Sequence, residues 1–228
     1  MARLHRNWTC LTFVSDMPLE DFEIEGEVTA AFRDARLDPA NAPGVIQLAR
    51  RTPGIVAVEF VRSLGAWSSE LVENDDGSAR ICVREGLSIQ ATLFNVGHEL
   101  GEFRLRRLAP FPYIGRDREQ ICNNLAAGFI MPRPAVRNRF LTYGARQVDR
   151  VARMFGVTQV MLALRVGEAL HVPVALVGAC MIRRRGPVDH LPSDAELTRI
   201  VRRKRAPRGW ELVQLTDAAW CWALFGPY

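Results

Sequence analysis

The sequence predicts an α+β fold in which a small antiparallel sheet packs on paired helices, followed by a helix-turn-helix-like pair and a small β-rich C-terminal extension. Three observations support this. Apolar, β-branched runs separated by turn residues occupy residues 55 to 83. Two segments with apolar residues spaced three and four apart follow between residues 88 and 132. Strand-like runs return after His171, from Val172 to Val177 and from Gly178 to Arg183. With 228 residues, 48% of them hydrophobic, the chain is long enough for one full core and a small appendage.

Taken in order, residues 18 to 37 pass from an acidic segment into a helix expected over Glu27 to Arg36. A turn-rich stretch from Asp38 to Gly44 precedes a short helix ending near Arg51. Ile55 to Val61 reads as a strand, as do Ser69 to Val72 and Ala79 to Val83, with Asn74-Asp75-Asp76-Gly77 as the intervening turn. Ser88 then suits the N-cap of a helix in which Ile89, Leu93, Val96, Leu100 and Phe103 form one buried stripe. Gly101 costs that helix roughly 1 kcal/mol against a better helix former, which implies a neighbour packed tightly there. A second helix covers Glu119 to Met131, with Asp117 as its cap and Pro132 at its end. Cys122, Ala126, Phe129 and Ile130 mark its apolar face, and the small residues in the middle allow close approach to another helix.

Farther on, Val151, Ala152 and Phe155, a turn at Gly156, a cap at Thr158 and a second apolar helix through Leu162 and Val166 have helix-turn-helix spacing, giving the pair 146–170. Gln159 and Arg165 on the second helix are the candidate DNA contacts. Val172 to Val177 and Gly178 to Arg183 read as strand, Gly186 to Ser193 as loop, Asp194 to Arg203 as helix, and Trp210 to Leu215 with Ala218 to Leu224 as a closing strand pair. The expected division is a first domain over 1–177 and a basic extension over 178–228, a candidate for substrate selection or homodimerisation.

Composition narrows the setting. No run approaches the roughly 20 apolar residues of a membrane span, and the first residues contain no apolar stretch like a signal peptide, so a cytoplasmic location is expected. Cys10, Cys82, Cys122, Cys180 and Cys221 are odd in number and widely scattered, which argues against both a disulfide framework and a cysteine zinc site. Residues 1–131 carry 14 basic against 18 acidic side chains, whereas 132–228 carry 16 against 7. A basic C-terminal half can face nucleic acid or an acidic partner, yet clusters such as Arg183-Arg184-Arg185 and Arg202-Arg203-Lys204-Arg205 are more often solvated faces. Among the 30 basic residues only Lys204 is a lysine, a bias along the whole chain that says little about phosphate recognition.

The chemistry-bearing stretch is His98-Glu99-Leu100-Gly101-Glu102. Four apart on a helix, His98 and Glu102 lie one turn above each other and can reach a single cation. Glu99 is offset by about 100°, which sets its carboxylate beside such a cation, where it can polarise a bound water. Glu119, in the first turn of the next helix, can reach the same point, and Asn123, one turn beyond it, can hold the Glu119 carboxylate in place.

Three stretches together resemble the ImmA/IrrE family of metallopeptidases: Ile81-Cys82-Val83-Arg84-Glu85-Gly86-Leu87, Val96-Gly97-His98-Glu99-Leu100-Gly101, and Glu119 to Pro132 with its paired alanines and terminal Met-Pro. The resemblance covers roughly residues 20 to 170 and is strongest from 80 to 132. It implies a zincin-like metallopeptidase domain in which His98 is a zinc ligand, Glu99 the general base and Glu119 the third protein ligand. Glu102 stands where the family usually has its second histidine. It further implies a protein substrate, a helix-turn-helix transcriptional repressor, cut in a mobile-element or stress-response setting.

A carboxylate in place of an imidazole adds negative charge, weakens the metal's pull on its water and slows hydrolysis; it also makes the donor set harder, so manganese or ferrous iron compete better with zinc. Without a metal the clustered carboxylates Glu99, Glu102 and Glu119 repel one another, and one of them tends to take up a proton. Three readings therefore stand: a metal-dependent endopeptidase, a metal-free regulatory binding module, and a DNA-binding regulator using Gln159 and Arg165.

Overall fold

A computed structural model describes residues 21–107, 116–178, 182–217 and 221–227. Helix α1 (Asp21–Asp34) begins earlier than expected, because its apolar period starts inside the acidic segment: Ile24, Val28, Ala31 and Phe32 recur at helical spacing and are buried. Asp38 caps a short 3-10 turn at Pro39–Asn41 by accepting from the Ala40 backbone N–H at 2.9 Å. Helix α2 (Val45–Arg51) follows and buries Val45, Leu48 and Ala49.

The first sheet holds β1 (Ile55–Val61), β2 (Ser69–Glu73) and β3 (Ala79–Arg84) in the order β1-β3-β2. It is mixed, not purely antiparallel as expected: β2 pairs antiparallel with β3, but β1 pairs with β3 in parallel. The cause is the connection. The turn at Asn74–Gly77 is tight, with Gly77 at φ 77° and its N–H bonded to the Asn74 carbonyl, so it forces a hairpin. Residues 62–68 instead carry the chain past β3 to its far side, leaving β2 as an edge strand.

Helix α3 (Ile89–Arg107) starts where expected, with Ser88 Oγ accepting from the Ala91 N–H at 3.2 Å. Val96, Leu100 and Phe103 are buried as the stripe required, but Ile89, in the first turn, is 69% exposed. Helix α4 (Arg116–Ile130) begins one residue before the expected cap, Asp117. The two helices meet through small residues. A Cβ on Gly97 would lie 3.0 Å from the Ala126 Cα, and one on Gly101 3.3 Å from the Leu125 Cβ and 3.4 Å from the Cys122 Cα.

Helix α5 (Arg133–Tyr143) was not expected from the sequence. Its charged and polar residues mask a short stripe of Ala135, Val136 and Phe140, and Pro132 both follows α4 and opens α5. Helices α6 (Val148–Phe155) and α7 (Gln159–Leu170) form the expected pair, with Gly156 in the left-handed region at φ 67° and Thr158 accepting from the Met161 N–H at 3.2 Å.

The remaining elements are β4 (Val174–Val177), β5 (Ile182–Arg185), α8 (Asp194–Arg203), β6 (Glu211–Leu215) and β7 (Cys221–Phe225), the strands forming an antiparallel sheet ordered β5-β4-β7-β6. The boundary expected at residue 177 falls inside this sheet, since β4 pairs with both β5 and β7. Leu215, Ala223 and Phe225 also join the main core, where the Phe225 ring packs on Phe140 at 5.3 Å between centroids. No helix among the described residues is long and apolar enough to cross a membrane.

Candidate functional site

The close approach of α3 and α4 at Gly97 and Ala126 brings two short rows of polar side chains face to face. From α3 come His98, Glu99 and Glu102; from α4 come Arg118, Glu119 and Asn123. The Asn123 Oδ1 lies 3.0 Å from His98 Nδ1. An amide oxygen only accepts, so Nδ1 donates and Nε2 is the ring nitrogen not engaged by Asn123. Nε2 faces Glu119 Oε2 at 3.9 Å. Asn123 thus orients the imidazole, whereas the sequence suggested that it would hold Glu119.

Glu99 is buried, 8% exposed, and its Oε1 accepts from Ser69 Oγ at 2.7 Å. Burial pushes its carboxyl above the ordinary carboxylate range; the Ser69 hydrogen bond and His98 oppose that rise, while Glu102 and Glu119 add to it. One turn earlier on α3, the buried Asn95 accepts from Ser68 Oγ at 3.3 Å. The start of the edge strand β2 is therefore fastened to the site face of α3 by two serines. Neither Ser68, Ser69 nor Asn95 was expected; Asn95, four residues before Glu99, was the readable signal.

Glu102 is engaged differently. Its Oε2 accepts from Arg118 Nε at 2.8 Å and its Oε1 from Arg118 Nη2, a bidentate fork. Arg106, one turn on, adds Nε and Nη2 to Oε1 at 3.0 and 2.9 Å, and extends Nη1 to Glu73 at the end of β2, 2.9 Å away. Cys122 Sγ lies 3.6 Å from Oε2, and burial, with Glu102 beside it, raises the thiol pKa far above the ordinary value. Arg106 and Arg118 were missed by sequence reasoning, although the spacing of Arg106 from Glu102 is that of a helical ion pair.

Residues 55–166, spanning β1 to most of α7 and including every residue of this site, match the model of the peptidase M78 family, the IrrE N-terminal-like domain. Residues 55–166 form an IrrE N-terminal-like domain. Ten solved chains match in structure. Among them is a Mycobacterium tuberculosis transcriptional regulator, 16% identical, with a TM-score of 0.52, matched over 90% of this chain and 74% of that one. At that identity the likeness is one of fold. No curated protein matches in sequence.

This IrrE-like domain supplies two of the donors that a family metal would use, His98 Nε2 and Glu119 Oε2. The third position does not fit. Zinc takes carboxylate oxygens at about 2.0–2.2 Å, and both oxygens of Glu102 are already held by guanidinium groups. Among the described residues, no group of three His, Cys, Asp or Glu side chains is placed to hold a metal ion.

The candidate DNA contacts of the IrrE-like domain are corrected outright by their burial. Gln159 is 6% exposed and pairs with Thr216, giving Nε2 to its Oγ1 at 2.7 Å and accepting from its N–H at 2.8 Å. Arg165 is 5% exposed; it donates to the Met131 carbonyl and to Glu168, each at 2.9 Å, and pairs with Glu25 at 2.6 Å. Most of α7 is buried, so its polar residues serve the interior instead of a groove.

Proposed function

We propose that this chain is a transcription-linked regulator that works by binding a protein partner, a helix-turn-helix repressor, on an IrrE-like scaffold whose third metal position has been given over to an arginine–carboxylate pair. The observation that carries this reading is the commitment of both Glu102 oxygens to Arg118 and Arg106. A peptidase of this family needs that position to hold its ion; a binding module does not. Further support comes from the family of the domain and from the likeness in fold to a transcriptional regulator.

A second reading is favoured by a different observation. His98 is oriented by Asn123 with Nε2 toward Glu119, and Glu99 lies on the same helix, buried and raised in pKa. These are the remains, or the working part, of a metal-dependent endopeptidase using zinc, manganese or ferrous iron.

Elemental mass spectrometry on tag-free protein, after exposure to each of the three metals, separates the two, with Glu119→Ala as control. A binding module retains no stoichiometric metal and leaves a helix-turn-helix repressor uncut while co-eluting with it. About one metal per chain, lost in the control, together with a cleaved repressor, would replace this reading with the second.

A further inference from the structure

We infer that the Arg118 guanidinium is the resident cation of this site, holding Glu102 away from His98 and Glu119 and keeping a latent three-donor metal site closed. The inference rests on the metal-independent reading above. Three donor side chains come to this corner of the α3–α4 contact without forming a ligand set. His98 is fixed through Asn123, Glu119 Oε2 lies 3.9 Å from its Nε2, and Glu102 sits one helical turn along from His98. Of the three, Glu102 is the one whose two oxygens are both taken up by guanidinium groups.

Arg118 is suited to hold it there. It immediately precedes Glu119 on α4, so the same helix turn that presents one carboxylate delivers the cation that occupies the other. Its fork takes both oxygens of Glu102, and guanidinium stays protonated at any pH the protein meets. Arg106 shares only Oε1 and is anchored on Glu73, so it stays in place when Arg118 is removed. Loss of Arg118 would leave Oε2 with only the Cys122 thiol, at 3.6 Å, and would remove one positive charge from among Glu99, Glu102 and Glu119. A divalent cation then meets a Glu102 whose Oε2 is held by no guanidinium, while Arg106 keeps Oε1.

The test is zinc titration by isothermal calorimetry of the full chain, the Arg118→Met variant and the Arg118→Met/Glu119→Ala double variant, with thermal melts in the presence and absence of zinc. Arg118 lies in the first turn of α4 and its side chain is 36% exposed, so methionine is compatible with the fold; Arg118→Gln is the second variant. The expected result is no saturable uptake by the wild type and about one zinc per chain in both single variants, with affinity gained by on the order of tenfold or more. Zinc then raises the melting temperature of the single variants alone, and Glu119→Ala abolishes the effect. If folded single variants take up no zinc, the latch is overturned while the binding-module reading stands. If the wild type binds one zinc as tightly as the single variants, the binding-module reading falls and the latch falls with it.

Discussion

At the scale of the residue, one exchange organises the site. An imidazole at position 102 would be neutral and could accept a metal with no further help. A largely buried carboxylate there needs compensation, and Arg118 and Arg106 supply it, Arg106 reaching Glu73 as well. Among the described residues no arginine or lysine pairs with Glu99, and burial raises its pKa. Its proton is therefore held more tightly in the folded chain than in the unfolded one, so its contribution to stability is fullest below the ordinary carboxylate pKa. That contribution is lost as pH rises through the raised value. Glu99→Gln keeps the partner for Ser69 and removes the charge; thermal melts should show the variant more stable than wild type at pH 7 to 8, with the gap closing toward pH 4. A variant less stable than wild type at pH 8 would show that the ionised carboxylate is instead well solvated by its surroundings.

At the scale of the element, the decisive contact is that between α3 and α4, and its tightness depends on two glycines of α3. Alanine at Gly97 meets the Ala126 backbone at 3.0 Å, an atom that cannot swing aside, so Gly97→Ala should destabilise by about 1–3 kcal/mol despite better helix propensity. At Gly101 the distances are 3.3 and 3.4 Å, and the propensity gain of roughly 1 kcal/mol offsets most of the crowding. Urea unfolding of both variants checks the order: the Gly97 change should be clearly the worse, and it should also loosen the Asn123 to His98 hydrogen bond next to it. This contact was legible from Gly101 and the small residues of the second helix, as were the caps at Ser88 and Thr158. The parallel pairing of β1 with β3 was not legible, because nothing in a strand's own residues tells which neighbour it will take.

At the scale of the molecule, the uneven charge along the chain is resolved in the interior. Glu25, from the acidic N-terminal segment, pairs with Arg133 and Arg165 of the basic half, and Glu168 pairs with Arg165 and Arg185. Part of the basic surplus that suggested an anionic partner is thus consumed by packing. The second sheet belongs to the same core through Leu215, Ala223 and Phe225, so a chain ending at residue 177 would leave β4 without both neighbours and remove the Phe225 ring from Phe140. Such a truncation should lose the cooperative thermal transition and aggregate; a sharp transition near that of the full chain would show the C-terminal strands to be an independent unit.

The sequence by itself determined most of the elements, α5 excepted, the caps at Ser88 and Thr158, the turn at Asn74–Gly77, and the presence of His98, Glu99, Glu119 and Asn123 on two helices built to meet, because each of these depends on residues within a turn or two of one another. Only the tertiary structure decided what Glu102, Gln159 and Arg165 do. Each is a polar side chain whose role is set by what lies opposite it once the chain has folded. Arg118 stands 16 positions from Glu102, Thr216 stands 57 from Gln159, and Glu25 lies at the far end of the described chain from Arg165. A buried charge or amide takes whatever partner the fold brings within about 3 Å, and no local pattern records that choice.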